Sequence, residues 1–240
     1  MANPDLILFG IQGAGKGTQA RLLAKKFQFT IFETGQELRQ LAKEQTPLGQ
    51  KIRSITASGK LVSDEIVLEI VRNFLQKNSG RLIFDGIPRS KSQKNFLEQE
   101  LKKNGRQAVA LVLTLEDPKI SLQRLLARKT CAKCAKIFGA ADQVQELTIC
   151  PTCGGQLKVR ADDNAAAIQE RIKIYEQETK PLLQEYQTEG RLIEVSADQS
   201  IEAVTQEIEQ RLAKYGKLNF LRNLKQSKIL QNLKRFFAGI

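Results

Sequence analysis

Three groups of residues in this chain have types and spacings that suit chemistry: a glycine-rich loop, two close pairs of cysteines, and a scatter of arginines and aspartates between them. Gly10, Gly13, Gly15, Lys16, Gly17 and Thr18 lie in the run GIQGAGKGT, directly after the apolar stretch Leu6 to Phe9. Glycines let backbone N–H groups close on phosphate oxygens, because a Cβ would block the approach. In such a loop Gly13, Ala14, Gly15 and Gly17 wrap the phosphates, Lys16 adds a point charge for the β and γ groups, and Thr18 offers a hydroxyl near a phosphate-bound metal. A flexible turn is the plain alternative. The GxxxxGK spacing between an apolar run and a helical pattern favours a nucleoside triphosphate.

What the chain lacks narrows the chemistry further. It contains no histidine, which removes histidine general bases, Ser-His-Asp triads, Cys-His pairs and histidine metal sites. Catalysis must then run on Lys, Arg, Asp, Cys or a bound metal. Lys and Arg number 38 against 26 Asp and Glu, a net charge of +12 that suits phosphate-rich partners without naming one. Lys217, Arg222, Lys225, Lys228, Lys234 and Arg235 carry half of that excess, in a stretch after Gly216 that contains no acid.

Cys131-Ala-Lys-Cys134 and Cys150-Pro-Thr-Cys153 are separated by fifteen residues, the spacing of a tetrahedral four-cysteine zinc site. Two disulfides are disfavoured by a reducing compartment, and a redox CxxC explains only one pair. A zinc ion held by four protein ligands is structural, since no position is left open for a substrate. The reducing compartment is itself an expectation: no stretch approaches the length of an apolar spanning helix, and MANPDLILFG lacks the basic start of a signal peptide, so a cytoplasmic location is expected.

Apolar runs at Leu6 to Phe9, Leu82 to Phe84, Ala108 to Leu115 and Leu192 to Val195 read as buried strands. Helical patterns lie between them: Ala20 to Phe27, Asp64 to Gln76 with Ser63 as its cap, Lys94 to Lys103, and Lys119 to Arg128 after Pro118. Alternating strands and helices predict an α/β fold with a doubly wound parallel sheet. Two stretches interrupt the rhythm: 33–62, charged and helical with no strand, and 129–160, which holds all four cysteines. The predicted organisation is a core of 1–32, 63–128 and 161–216 carrying those two inserts, followed by a basic amphipathic extension over 217–240. Ala165 to Gln187 reads as one long helix broken near Pro181, and Ile201 to Lys214 as the closing helix.

The ordered set of motifs resembles the adenylate kinases with a long, four-cysteine lid, within the P-loop nucleoside monophosphate kinases. GIQGAGKGTQA, FETGQELR (Phe32 to Arg39), GKLVSDE (Gly59 to Glu65), FDGIPRSKSQ (Phe84 to Gln93) and RADD (Arg160 to Asp163) appear in that family's order, over residues 1 to about 214. The resemblance implies transfer of a phosphoryl group from Mg-ATP to AMP, giving two ADP. A GTP donor or another acceptor is the alternative. It places Arg39 and Arg89 on the acceptor phosphate, and Arg128, Arg160 and Arg171 around the transferring group. Arg124 is placed against the donor base, and Asp85 orders Mg²⁺ and its water. Thr34, Gln93, Lys60, Val62 and Gly86 fall at the family's AMP site, while Asp162 and Asp163 resemble a pair that holds arginines when the lid shuts. Because the acceptor is itself a phosphate, the reaction needs no general base, which fits a chain without histidine.

This chain departs from the family pattern at Gln12 (usually Pro), Gln36 (commonly Asp), Ser63 (usually Pro) and Ile87 (usually Phe). None of these changes removes a charge that would touch phosphate. The expected partners are ATP, AMP and ADP on a monomer with no specific nucleic acid; a nucleic-acid zinc module would explain the charge and the cysteines but not Asp85, Thr34 or the arginines. Beyond Gly216, Ile229, Leu230, Leu233, Phe236 and Phe237 share a helical face with basic residues off it. Such a helix packs on its own core, docks on an anionic membrane or meets a partner, and the sequence leaves these open.

Overall fold

The computed structural model describes residues 4–58, 60–134, 136–139, 146–160 and 163–226, the side chains of residues 118 and 217–226 excepted. Strand β1 (Asp5–Phe9) is buried along its whole length and runs into the glycine loop, from which helix α1 (Lys16–Phe27) departs. Then follow β2 (Thr30–Glu33), α2 (Thr34–Leu41), α3 (Pro47–Ala57), α4 (Asp64–Lys77), β3 (Leu82–Asp85), α5 (Lys91–Lys103), β4 (Ala108–Thr114) and α6 (Pro118–Leu126). Three short strands, β5 (Lys129–Cys131), β6 (Ile137–Phe138) and β7 (Leu157–Lys158), precede α7 (Ala165–Ile174), α8 (Lys180–Thr188), β8 (Leu192–Ser196) and α9 (Ile201–Gln226).

The main sheet has strand order β2-β3-β1-β4-β8, with every pairing parallel. Its central strands are apolar at nearly every position because both faces are covered. Leu6, Leu8, Ile83, Val109, Leu111 and Leu113 pack one face with Leu23, Val204 and Ile208, while Ile7, Phe9, Phe84, Ala110 and Val112 pack the other with Val71, Leu97 and Tyr186. Period-two alternation along β1, β3 and β4 thus divides one sheet into two cores. In this architecture the carboxyl ends of the strands open onto the ligand crevice.

The four expected strands are present within a residue or so of their predicted ends, but β2 adds a fifth. Its four residues combine only two large apolar side chains, Ile31 and Phe32, with Thr30 and Glu33, as befits an edge strand buried on one side. The helices at Asp64, Lys94 and Pro118 are likewise present, although the second begins three residues earlier, at Lys91. Ser63 occupies the cap position of α4 without a side-chain cap hydrogen bond, so that part of the sequence reading is corrected; Ser90 and Asn164 do cap α5 and α7 through their side chains.

The break expected near Pro181 is a π-helical turn, Tyr175–Thr179, between α7 and α8. Proline lacks the N–H and crowds the carbonyl four residues back, and the wider turn accommodates both. Helix α9 extends twelve residues past the predicted Lys214. Gln19 of α1 anchors its start, donating from Nε2 to Ile201 O at 3.0 Å and accepting from Thr205 Oγ1 at 2.8 Å. The apolar face predicted over Ile229 to Phe237 lies outside the described residues, as does Asp162. Among the described residues no helix is long and apolar enough to cross a membrane.

Candidate active site

Local sequence dictates the shape of the loop. Gly15 takes φ +94° immediately before α1, a left-handed conformation that side chains rarely tolerate. At Gly13 a Cβ would stand 2.8 Å from the carbonyl oxygen of Ser121, so the loop can lie against α6 only as glycine. The first amides of α1, at Lys16 and Gly17, have no intrahelical acceptor and sit at the positive end of the helix dipole.

Lys16 folds over the loop and donates from Nζ to Gly10 O at 2.8 Å and Ile11 O at 3.2 Å. Burial pulls its ammonium down from 10.5 to about 8; Asp85 opposes this, while Arg89, Arg128 and Arg171 push further in the same direction. Three arginines from distant parts of the chain therefore converge electrostatically on the loop lysine. Asp85, at the end of β3, is held above the usual carboxylate range by burial, with Lys16 opposing and the neighbouring Glu33 adding to the rise. A cation brought beside this carboxylate would reverse that shift, which fits the donor chemistry of Mg²⁺.

One cleft of about 1310 Å³ takes in these groups. It is lined by Gly13, Ala14, Gly15, Lys16, Gly17, Thr18, Arg124 and Arg128. Arg124 bridges two elements there, donating from Nη2 to Ala197 O at 3.0 Å and reaching Gly13 O at 3.4 Å. Thr34, Arg39, Lys60, Val62, Gly86, Arg89 and Gln93 line the same cleft, as do Asp85, Arg160 and Arg171. The loop positions 13–18, Asp85 and the six arginines picked out from the sequence thus line a single volume, whereas Asp163 lies behind it against Arg128.

Thr34 is 4% exposed, and its Oγ1 is a buried hydroxyl with no hydrogen-bond partner among the described residues. A buried polar atom left unsatisfied costs about 1–3 kcal/mol, so this hydroxyl is open to a polar group that enters the cleft. Gln93, also buried, accepts from Arg89 N at 2.8 Å and donates to Asp64 Oδ1 at 2.6 Å. Each of those contacts uses only part of the amide, which keeps a second lone pair and a second hydrogen. Arg89 donates from Nε to Gly86 O at 3.0 Å.

Asp163, with its side chain fully buried, grips Arg128 through both carboxylate oxygens and lies 3.8 Å from Arg171 Nη1. Arg160 donates from Nε to Thr130 Oγ1 at 3.0 Å, tying the end of the second insert to its first strand. Sequence reasoning had not picked out Glu33 or Arg21, which line the same cleft. Glu33 immediately precedes the Thr-Gly motif and only its place at a strand end marks it, and β2 was the strand the pattern missed.

In the second insert β6-β5-β7 forms a small antiparallel sheet whose core is Cys131, Phe138, Cys150 and Leu157. The four Sγ atoms lie within 4.8 Å of one another, with 3.4 Å between Cys131 and Cys153 and 3.8 Å between Cys134 and Cys150. Four thiolates about 2.3 Å from one ion stand about 3.8 Å apart, so the cluster fits tetrahedral zinc. Gly155 leaves the sulfurs room, since a Cβ there would meet Cys131 Sγ at 2.9 Å. The Cys134 amide donates to Cys131 Sγ at 3.4 Å, holding the first CxxC turn closed around its sulfurs.

A family model described as adenylate kinase matches residues 8–191. The chain belongs to the adenylate kinase family. It is 37% identical over 207 residues to an adenylate kinase of Geotalea daltonii, covering 85% of this chain and 97% of that one. An adenylate kinase of Petrotoga mobilis is 34% identical over 213 residues, 88% of this chain and 99% of the relative. One from Archaeoglobus fulgidus is also 34% identical over 213 residues, with 88% and 98% covered. Family membership agrees with the five-stranded parallel sheet and with the glycine loop at its centre.

Proposed function

We propose that this chain catalyses Mg·ATP + AMP ⇌ 2 ADP in the cleft described above. The observation that carries the reading is that the phosphate loop and the orphaned Thr34 hydroxyl open onto the same volume. ATP enters over Gly13 to Thr18 with its base toward Arg124. AMP lies across Thr34, Lys60, Val62 and Gln93, with its phosphate between Arg39 and Arg89. The two phosphate ends then meet near Lys16, where Arg128, Arg160 and Arg171 neutralise charge on the transferring group. The acceptor oxygen is already ionised, so alignment and charge neutralisation carry the rate.

Asp85 and Thr18 would hold Mg²⁺ and its water beside the loop, where the ion would neutralise charge on the phosphates. Residues 33–62 and 129–160 are the two inserts that close over the nucleotides and exclude water. Zinc on Cys131, Cys134, Cys150 and Cys153 supports the second insert, whose core among the described residues is only four side chains. The working unit is a monomer of the cytoplasm.

A coupled assay of ATP and GTP against AMP, UMP, CMP and GMP tests the reading. ATP with AMP should be fastest, and Thr34→Val should raise the AMP KM by about tenfold, the cost of one lost buried hydrogen bond. A faster turnover with any other pair would overturn the assignment.

A further inference from the structure

Glu33 lines the cleft without a role in the reading above, and its surroundings give it one. It ends β2 in register with Asp85 on β3, so two carboxylates project from adjacent strand ends. Its side chain is 19% exposed. Oε1 accepts from Arg39 Nη2 at 3.0 Å, and Oε2 lies 3.8 Å from Arg21 Nη1. Arg39 reaches it by folding back over Gly35, where a Cβ would stand 2.9 Å from Nη1. All three charged side chains line the cleft.

We propose that Glu33 is a built-in stand-in for the acceptor phosphate: its carboxylate holds Arg39 until a nucleoside monophosphate displaces it, and the exchange sets acceptor affinity. The inference rests on the acceptor site proposed above. A carboxylate and a phosphate both present paired oxygens to a guanidinium, and the Nη edge of Arg39 serves one such partner at a time. A phosphate dianion entering beside Glu33 and Asp85 also meets two like charges. Release of Glu33 toward Arg21, which already stands on its other oxygen, relieves one of them. The guanidinium is thereby kept oriented while the site is empty, and the acceptor is held less tightly than Arg39 alone would hold it. Weak ground-state binding of this kind leaves more interaction for the transition state and eases departure of the ADP formed there.

Calorimetric titration of the full chain with AMP, and separately with adenosine, tests this in wild type, Glu33→Gln and Glu33→Ala. Loss of the competing charge should lower the AMP Kd by about two- to five-fold, the worth of a partly exposed ion pair. Adenosine, which lacks the phosphate, should bind all three proteins alike, and the gain should vanish when Arg39→Ala is added. An AMP Kd that is unchanged or raised in both Glu33 variants, or an equal tightening of adenosine, overturns the proposal. A wild-type chain that binds adenosine no more weakly than AMP instead overturns the acceptor site on which the proposal rests.

Discussion

Asp163 Oδ2 accepts from Arg128 Nε at 2.8 Å, the carboxylate fully buried and the guanidinium largely so. The carboxylate also stands within reach of Arg171, so one buried acid aligns two of the three arginines that press on Lys16. Fork-to-fork pairing fixes a guanidinium in direction as well as position. Asp163→Asn keeps the shape and removes the charge. We expect kcat to fall by about 10- to 100-fold, in line with loss of a group that orients catalytic residues. The melting temperature should drop as well, because breaking a buried pair costs about 3–5 kcal/mol. A variant with unchanged kcat at a temperature where it is folded would show that Asp163 is structural only.

Lys16 yields a prediction in pH. Its pKa is about 8 in the folded chain against 10.5 for the free group, so between those values the unfolded chain holds more proton and stability rises with pH. Below about 8 the full cost of burying the ammonium is present. Phosphates bound beside it supply opposite charge and restore its pKa, so nucleotide binding at about pH 8.5 should take up protons and binding at about pH 6.5 should take up few through this group. Titration in buffers of different ionisation enthalpy measures the uptake. Lys16→Met should abolish both the uptake and the activity while stabilising the empty chain by about 1–2 kcal/mol. A destabilised Lys16→Met protein would contradict this account of the buried ammonium.

The cysteine cluster predicts a metal dependence confined to one part of the molecule. The protein should carry one zinc per chain, and chelation should lower the first thermal transition, since the small cluster of Cys131, Phe138, Cys150 and Leu157 is built around the thiols themselves. Binding at the glycine loop should survive, because β1 and α1 draw on a separate core. Cys134→Ser should reproduce the effect of chelation. An unchanged melting profile with no metal found by elemental analysis would remove zinc from the account.

How much of this was legible beforehand differs from residue to residue. The glycine loop could be read directly, since its spacing encodes close backbone approach, and β1, β3 and β4 could be read because strands buried on both faces leave continuous apolar runs. Strand β2 could not: at an edge, with one large buried side chain, its pattern merges into the flanking helices. Glu33 was hidden with it, because a lone glutamate reads as a solvated charge until topology sets it opposite Asp85. Gln19 was hidden for a similar reason, its polar side chain being buried only by the arrival of α9 from 182 residues away. The arginines were picked out by motif rather than by physics. Nothing in their types separates Arg128 from any surface arginine, and the structure supplies what spacing lacks by drawing Arg89, Arg128 and Arg171 together around Lys16.

If donor and acceptor share one cleft, a dinucleotide of two adenosines joined through five phosphates spans both sites at once. Calorimetry of the full chain should give one molecule bound per chain, displaced by ATP and by AMP, with affinity far above either. Two molecules per chain, or displacement by only one of the two nucleotides, would contradict a shared cleft.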